Sequence, residues 1–194
     1  MENFSYDIKV PKDRIAVLIG KNGEVKKNIE ESTNTLIAVD SKEGDVNVSG
    51  EDAITLYSTR NVIRAIARGF NPEVAQLLLR QDFVFELMPV EQYIKNKAHI
   101  ERVKGRVIGR DGKARQILEE LTETYICVYG KTIGIIGLGE NVNITRRAIE
   151  SLLVGSPHAK IYKWLEKQRK ELKRHSVEEN YGIKVGSQKE DEEI

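Results

Sequence analysis

The sequence predicts an α+β protein built from two tandem units, each with the element order βααββα, joined by a helical bridge and followed by an amphipathic C-terminal helix. Two observations carry this expectation. A glycine tetrad occurs twice in the same local setting, as Gly20-Lys21-Asn22-Gly23 and as Gly109-Arg110-Asp111-Gly112. Around each tetrad the same residue types recur in register: Leu18-Ile19 and Val107-Ile108 before the first glycine, Ile29 and Leu118 six positions after the last, Thr33 and Thr122 four further on, and Ile37 and Ile126 four beyond those. One tetrad is a weak signal, since any tight turn can use two glycines. Two in register mark an internal duplication.

In the first copy, Phe4, Tyr6, Ile8 and Val10 alternate with polar residues, a half-buried strand stopped by Pro11. A short helix over 14–19 enters the glycine loop, and a second helix over 24–32 leaves it. Strands follow at about 35–40 and 45–49, separated by the polar turn Ser41-Lys42-Glu43-Gly44. A longer helix over 52–68 places Val62, Ile63, Ile66 and Ala67 on its apolar side and stops at Gly69. Asn71-Pro72-Glu73 then supplies a cap and first turn for a bridge helix over about 72–80 carrying Val74, Leu77 and Leu78, and this packed bridge is expected to hold the two domains against each other.

The second copy repeats the order from Phe83-Val84-Phe85-Glu86-Leu87, with Ile133 to Ile136 in its third strand. The offset is 89 residues through Gly50-Glu51 and Gly139-Glu140, and 86 afterwards, where Thr59-Arg60 matches Thr145-Arg146 and Gly69 matches Gly155. Three residues are therefore missing from the lead-in to the second long helix. The expected domains are 1–70, a bridge at 71–82, a second unit at 83–156, a C-terminal helix at 157–175 and a disordered polar and acidic tail at 176–194. Within that helix Ile161, Trp164, Leu165, Gln168 and Leu172 fall at helical spacing, with Trp164 as an anchor, while Lys163, Lys167, Lys170, Lys173 and Arg174 lie on other faces as a candidate second RNA contact.

A chain of 194 residues accommodates two such compact units. Its single cysteine, Cys127, falls in the alternating run Tyr125-Ile126-Cys127-Val128 and reads as a strand residue, and a lone cysteine suits a reducing compartment. No apolar run approaches the roughly 18 residues of a membrane span, and Met1-Glu2-Asn3 does not begin a basic-then-apolar leader. The expectation is a soluble cytoplasmic protein without a membrane partner. Abundant Lys and Glu also suit a heat-adapted source. The net charge is only +1, but acidic residues gather in the terminal run Glu190-Asp191-Glu192-Glu193, leaving the two loops locally basic.

Glycine at both ends of a basic dipeptide permits positive φ and close approach to the backbone, while the N–H groups opening the next helix favour a phosphate. This is the chemistry of the GxxG loop of the type I KH domain, which clamps about four backbone nucleotides of single-stranded RNA. The candidate RNA-binding residues are Gly20, Lys21, Asn22, Gly23, Lys26 and Lys27 in the first copy, and Arg102, Lys104, Arg106, Gly109, Arg110, Asp111, Gly112, Lys113 and Arg115 in the second, with a solvated helix face as the alternative for the charged ones. Ile126 and Ile37 are placed on the central strand beside the groove, where a core role is at least as good a reading as a base contact. Tyr125 and Tyr129 are stacking candidates.

Lys26 and Arg115 depart from the usual KH pattern, which has an apolar residue three positions after the second glycine. Together with the segment His99 to Gly112 and the run Gly155-Ser156-Pro157-His158-Ala159-Lys160-Ile161-Tyr162, they resemble the partner-of-Nob family of KH-domain ribosome assembly factors in its short archaeal form, over roughly residues 5 to 172. That resemblance implies a factor that binds near the 3′ end of the small-subunit rRNA within the small ribosomal subunit precursor and works beside a PIN-domain nuclease. The alpha subunit of translation initiation factor 2 is a further candidate partner. The resemblance implies that the second domain is the better preserved RNA reader, although here Gly20 to Gly23 is intact.

Enzyme classes find no support in the residues. Neither tetrad continues as Gly-Lys-Ser/Thr or has the Gly-x-Gly spacing of a dinucleotide site, and His99, His158 and His175 are scattered. No catalytic residue, metal site or cofactor is expected. Two further readings remain open at this point: a protein-interaction adaptor for a nuclease or an initiation factor, and a KH subunit of an RNA-decay complex.

Overall fold

The structure, a computed structural model, describes residues 4–94 and 99–181. The first repeat consists of β1 (Phe4–Lys9), α1 (Lys12–Ile19), α2 (Glu24–Thr33), β2 (Leu36–Asp40), β3 (Asp45–Gly50) and α3 (Ala53–Ala67). One turn of α-helix, α4 (Pro72–Ala75), continues as a 3-10 turn over Gln76–Leu79, so the expected bridge helix is helical throughout but tightens after its first turn. The second repeat holds β4 (Phe83–Pro89), α5 (Ile100–Ile108), α6 (Lys113–Thr122), β5 (Tyr125–Tyr129), β6 (Thr132–Leu138) and α7 (Gly139–Val154). Helix α8 (His158–Tyr181) runs six residues past the expected end, because nothing between Ser176 and Tyr181 breaks a helix and the first glycine is Gly182. The remainder of the expected tail lies outside the described residues.

Each repeat forms a three-stranded sheet, ordered β1-β3-β2 and β4-β6-β5. The third strand of each repeat is therefore central, and the expectation that Ile37 and Ile126 sit on central strands is corrected: both lie on edge strands. In the first repeat β1 pairs antiparallel with β3 on one side, and the tight turn at Gly44, which takes a positive φ and whose N–H donates to the carbonyl of Asp40 at 2.8 Å, folds β2 onto the other side. The register pairs Ile8 with Val46 and Ile37 with Val48, all on the buried face, while Asp7 and Asn47 pair on the solvent face.

By packing, the chain divides into two compact units. One contains residues up to Met88 together with Cys127–Gly139, and its core joins Leu18, Ile29, Val48, Leu56, Ile63 and Ile66 with Phe70 and Ile136. Phe70 meets Phe85 edge to face, ring centroids 6.0 Å apart. The other unit contains Pro89–Ile126 and the chain from Glu140 onward, and buries Val103, Val107, Leu118, Ile149, Leu152, Ile161 and Leu165.

Candidate nucleic-acid interface

The two glycine tetrads have the same backbone. Gly20 and Gly109 adopt φ/ψ of 75°/176° and 74°/176°, a region open essentially to glycine alone; Asn22 and Asp111 have φ of 55° and 54°, and Gly23 and Gly112 have φ of 81° and 75°. The two glycines of a tetrad serve different ends. A Cβ on Gly20 would lie 2.5 Å from Cγ2 of Val25, and one on Gly109 would lie 2.6 Å from Cβ of Ala114, whereas a Cβ on Gly23 or Gly112 would meet nothing within 4 Å. The first glycine lets the next helix pack against the loop; the second faces open space. An intact tetrad thus has a packing requirement of its own, beyond any need to meet a phosphate.

Helices α2 and α6 begin at the second glycine, and neither has a side-chain cap at its N-terminus. By contrast Asp52 caps α3, accepting from the N–H groups of Ile54 and Thr55 and from the Thr55 hydroxyl, which holds its carboxyl below the ordinary range. The uncapped first turns beside the glycine loops leave backbone N–H donors for an anion.

The residues repeated in register form a buried scaffold behind the loops. Ile29 and Leu118 are fully buried, and the Thr33 and Thr122 hydroxyls donate back to the carbonyls of Ile29 and Leu118, each at 2.7 Å. Both hydroxyls also bond the next threonine, Thr35 at 2.8 Å and Thr124 at 2.9 Å. Glu30 accepts the N–H of Ile37 at 2.7 Å, and Glu119 accepts that of Ile126 at 2.7 Å, tying each loop helix to its edge strand. Lys26 lies 3.4 Å from Glu30 and Arg115 lies 3.7 Å from Glu119. Sequence reasoning missed these glutamates as positioning residues, although the 89-residue offset that relates Lys26 to Arg115 also relates Glu30 to Glu119.

The predicted cations do not form one set. Arg106 is spoken for: its Nε donates to the Leu152 carbonyl at 3.1 Å and its Nη2 to the Ser156 carbonyl at 2.5 Å, closing the C-terminal end of α7. The His158 ring nitrogen lies 2.8 Å from the Arg106 carbonyl. In the first repeat Arg14 does the same for α3, donating to the carbonyls of Ile66 at 2.8 Å and Phe70 at 2.6 Å. Lys104 has a side chain only 13% exposed and pairs with Glu101 at 2.6 Å. Lys27 faces solvent with Glu31 at 3.6 Å. Arg102, Arg110 and Lys113 are exposed around the second loop, and Lys21 is exposed on the first.

Ile126 and Ile37 are each 2% exposed, so their side chains belong to the core and are closed to a ligand. Tyr125 is exposed on the same strand, as is Leu36 at the equivalent place in the first repeat, and Ile108 and Ile117 add partly exposed apolar surface to α5 and α6. The Tyr129 hydroxyl donates to Asp13 at 2.7 Å; this bond, reinforced by burial and by the carboxylate charge, raises the phenol above its ordinary pKa and holds the ring in place. Among the described residues no group of His, Cys, Asp and Glu could hold a metal ion, and no helix is long and apolar enough to cross a membrane.

Comparison with known proteins follows the two sequence repeats. A model described as the eukaryotic-type KH domain, KH-domain type I, matches residues 84–170, and a KH domain model matches residues 5–68. The chain is 43% identical over 175 residues to a KH domain-containing protein of Methanocaldococcus jannaschii, covering 88% of this chain and 77% of that one. It is 34% identical over 119 residues to the RNA-binding protein pno-1 of Caenorhabditis elegans, 59% of this chain but only 43% of the nematode protein. Among solved structures it is similar to Dim2p of Pyrococcus horikoshii OT3, with a TM-score of 0.80 and 43% identity over 84% of this chain and 99% of that one. A chain of the a/eIF2alpha-aDim2p-rRNA complex from the same organism matches with a TM-score of 0.82 and 42% identity over 87% of this chain and 96% of its own.

Proposed function

Because the chain belongs to the partner-of-Nob (Pno1/Dim2) family of KH-domain proteins, we propose that it is an RNA-binding ribosome biogenesis factor that grips single-stranded rRNA near the 3′ end of the small-subunit precursor. The observation that carries this reading is the second glycine loop: an uncapped helix N-terminus opening from Gly112, with exposed Arg110 and Lys113 beside it. Its work is binding, and the bond cleavage that matures the rRNA end falls to a separate PIN-domain nuclease. The presence of rRNA and the initiation factor alpha subunit in the complex of the Pyrococcus relative supports an rRNA ligand and makes that subunit a second candidate partner. The cytoplasm is the compartment this role implies.

The first loop adds affinity when the RNA is long enough to reach it, since a second grip on the same strand is intramolecular. The double variant Arg110→Asp/Lys113→Asp should bind an rRNA 3′-end fragment more weakly at low salt, and the magnitude of its log–log salt slope should fall by roughly 0.7 for each phosphate it no longer neutralises. Circular dichroism establishes that the variant is folded. The single variant Lys21→Asp should weaken binding of a long fragment while leaving one of about four nucleotides unaffected. A folded Arg110→Asp/Lys113→Asp protein with unchanged affinity and slope would refute the loop as the RNA site.

A further inference from the structure

Helix α8 carries lysines at positions 160, 163, 167 and 170, spaced by three and four residues, so they form one stripe along the helix about 15 Å long, and Arg174 continues the series. Ile161 and Leu165, from the other side of the helix, are buried. Arg147 of α7 stacks over the Trp164 ring at 5.3 Å, and Arg169 reaches Glu123 at the C-terminal end of α6 at 3.7 Å, so α8 is docked within its unit and presents the stripe in a set direction.

The stripe differs from the other helices in its charge balance. Between Lys160 and Arg174, α8 carries seven cations against two carboxylates, Glu166 and Glu171, whereas α2 carries two cations against three carboxylates and α6 and α7 carry two against two each. On α8, Lys160, Lys163 and Lys170 are exposed, and among the described residues none of them pairs with a carboxylate. Like charges one turn apart oppose helix formation. A surface that keeps this repulsion is matched to a polyanion.

We infer that the outward face of α8 is a second RNA-backbone site, separate from the glycine loops and reading no base; the inference rests on the RNA-binding reading above. Phosphate diesters fit better than an acidic protein segment. Lysine is depleted from protein–protein interface cores, which need a buried apolar or aromatic anchor, and the apolar residues Ile161 and Leu165 of this helix are already buried in its own unit. A phosphate track needs only mobile point charges. Because Arg169 of α8 meets the end of α6 remote from the glycine loop, the stripe is served by nucleotides beyond the four held by that loop.

The test compares wild type with the full-length variant Lys160→Gln/Lys163→Gln/Lys167→Gln/Lys170→Gln, using a four-nucleotide oligonucleotide and an rRNA fragment of about thirty nucleotides across a salt series. The variant should bind the short RNA as wild type does and the long RNA more weakly, with the salt-slope magnitude on the long RNA lowered by roughly 0.7 per phosphate released, up to about 2.8. Its circular dichroism spectrum should match that of wild type. Unchanged affinity and slope on the long RNA would overturn the inference while leaving the loop reading intact. Loss of an acidic protein partner with RNA binding unchanged would reassign the face as a protein-docking surface. A wild type that binds neither RNA would sink both readings.

Discussion

At equivalent positions of the two repeats, Glu24 opens α2 where Lys113 opens α6, and Asp13 on α1 stands where Arg102 stands on α5. The loops between them match within a few degrees at every glycine. Duplication has kept the backbone cradle and let the charge around it diverge, so Lys21 lies between two acidic positions and Arg110 between two basic ones. We therefore expect the second loop to dominate RNA affinity through Arg102, Arg110 and Lys113, which are exposed. Arg106 and Lys104, which the sequence put beside them, are engaged in the fold. The same comparison shows one structural task solved from two places: Arg14 and Arg106 bond carbonyls related by the 86-residue offset, yet the arginines themselves are one helical turn out of register.

The sharpest way to break this picture is to separate the two glycines of a tetrad. Gly109→Ala combines a glycine-only conformation with a collision against Ala114 and should cost about 3 kcal/mol in urea unfolding, with Gly20→Ala similar. Gly112→Ala faces open space and should cost only about 1 kcal/mol, from its positive φ. Equal costs for Gly109→Ala and Gly112→Ala would remove the distinction between a packing glycine and a ligand-facing one.

Next in size is the arginine clamp. Arg106→Met and Arg14→Met should each lower stability by about 2 kcal/mol, because each leaves one carbonyl in the last turn of a helix and one just beyond it without their charged donor. The RNA salt slope of Arg106→Met should match that of wild type at a temperature where both are folded. A lowered slope with unchanged stability would return Arg106 to the RNA-binding set.

The smallest effect is at the start of the long helices. Asp52 caps α3, while the shortened lead-in of the second repeat begins α7 directly at Gly139. The folded-state pKa of Asp52 lies below its ordinary value of 3.8, so the stabilisation it provides is present above that value and is lost as pH falls through the depressed one. Wild type should therefore melt slightly higher than Asp52→Ala at pH 7, and the two curves should converge toward pH 2. Curves that stay parallel over that range would show that the carboxylate is not the stabilising group.

By itself the sequence determined the element order, the α+β class and the duplication, because alternation, helical periodicity and glycine punctuation are local signals and the second copy checked the first. The helix expected over 24–32 and found at Glu24–Thr33 illustrates how closely such signals locate an element. The glycine loops were legible for the same reason, since their unusual φ angles select residue type directly. Strand order was not legible: nothing local in Ile37 or Ile126 says that the third strand, in pairing with both others, leaves these residues at the sheet's edge. Nor could charge alone say which cations face solvent. Arg106 reaches carbonyls 46 and 50 residues away, and Glu30 reaches across to Ile37 because a helix and a strand have been brought together. Only the tertiary structure decides such partners, because a long charged side chain bonds whatever acceptor the packed backbone leaves within its reach.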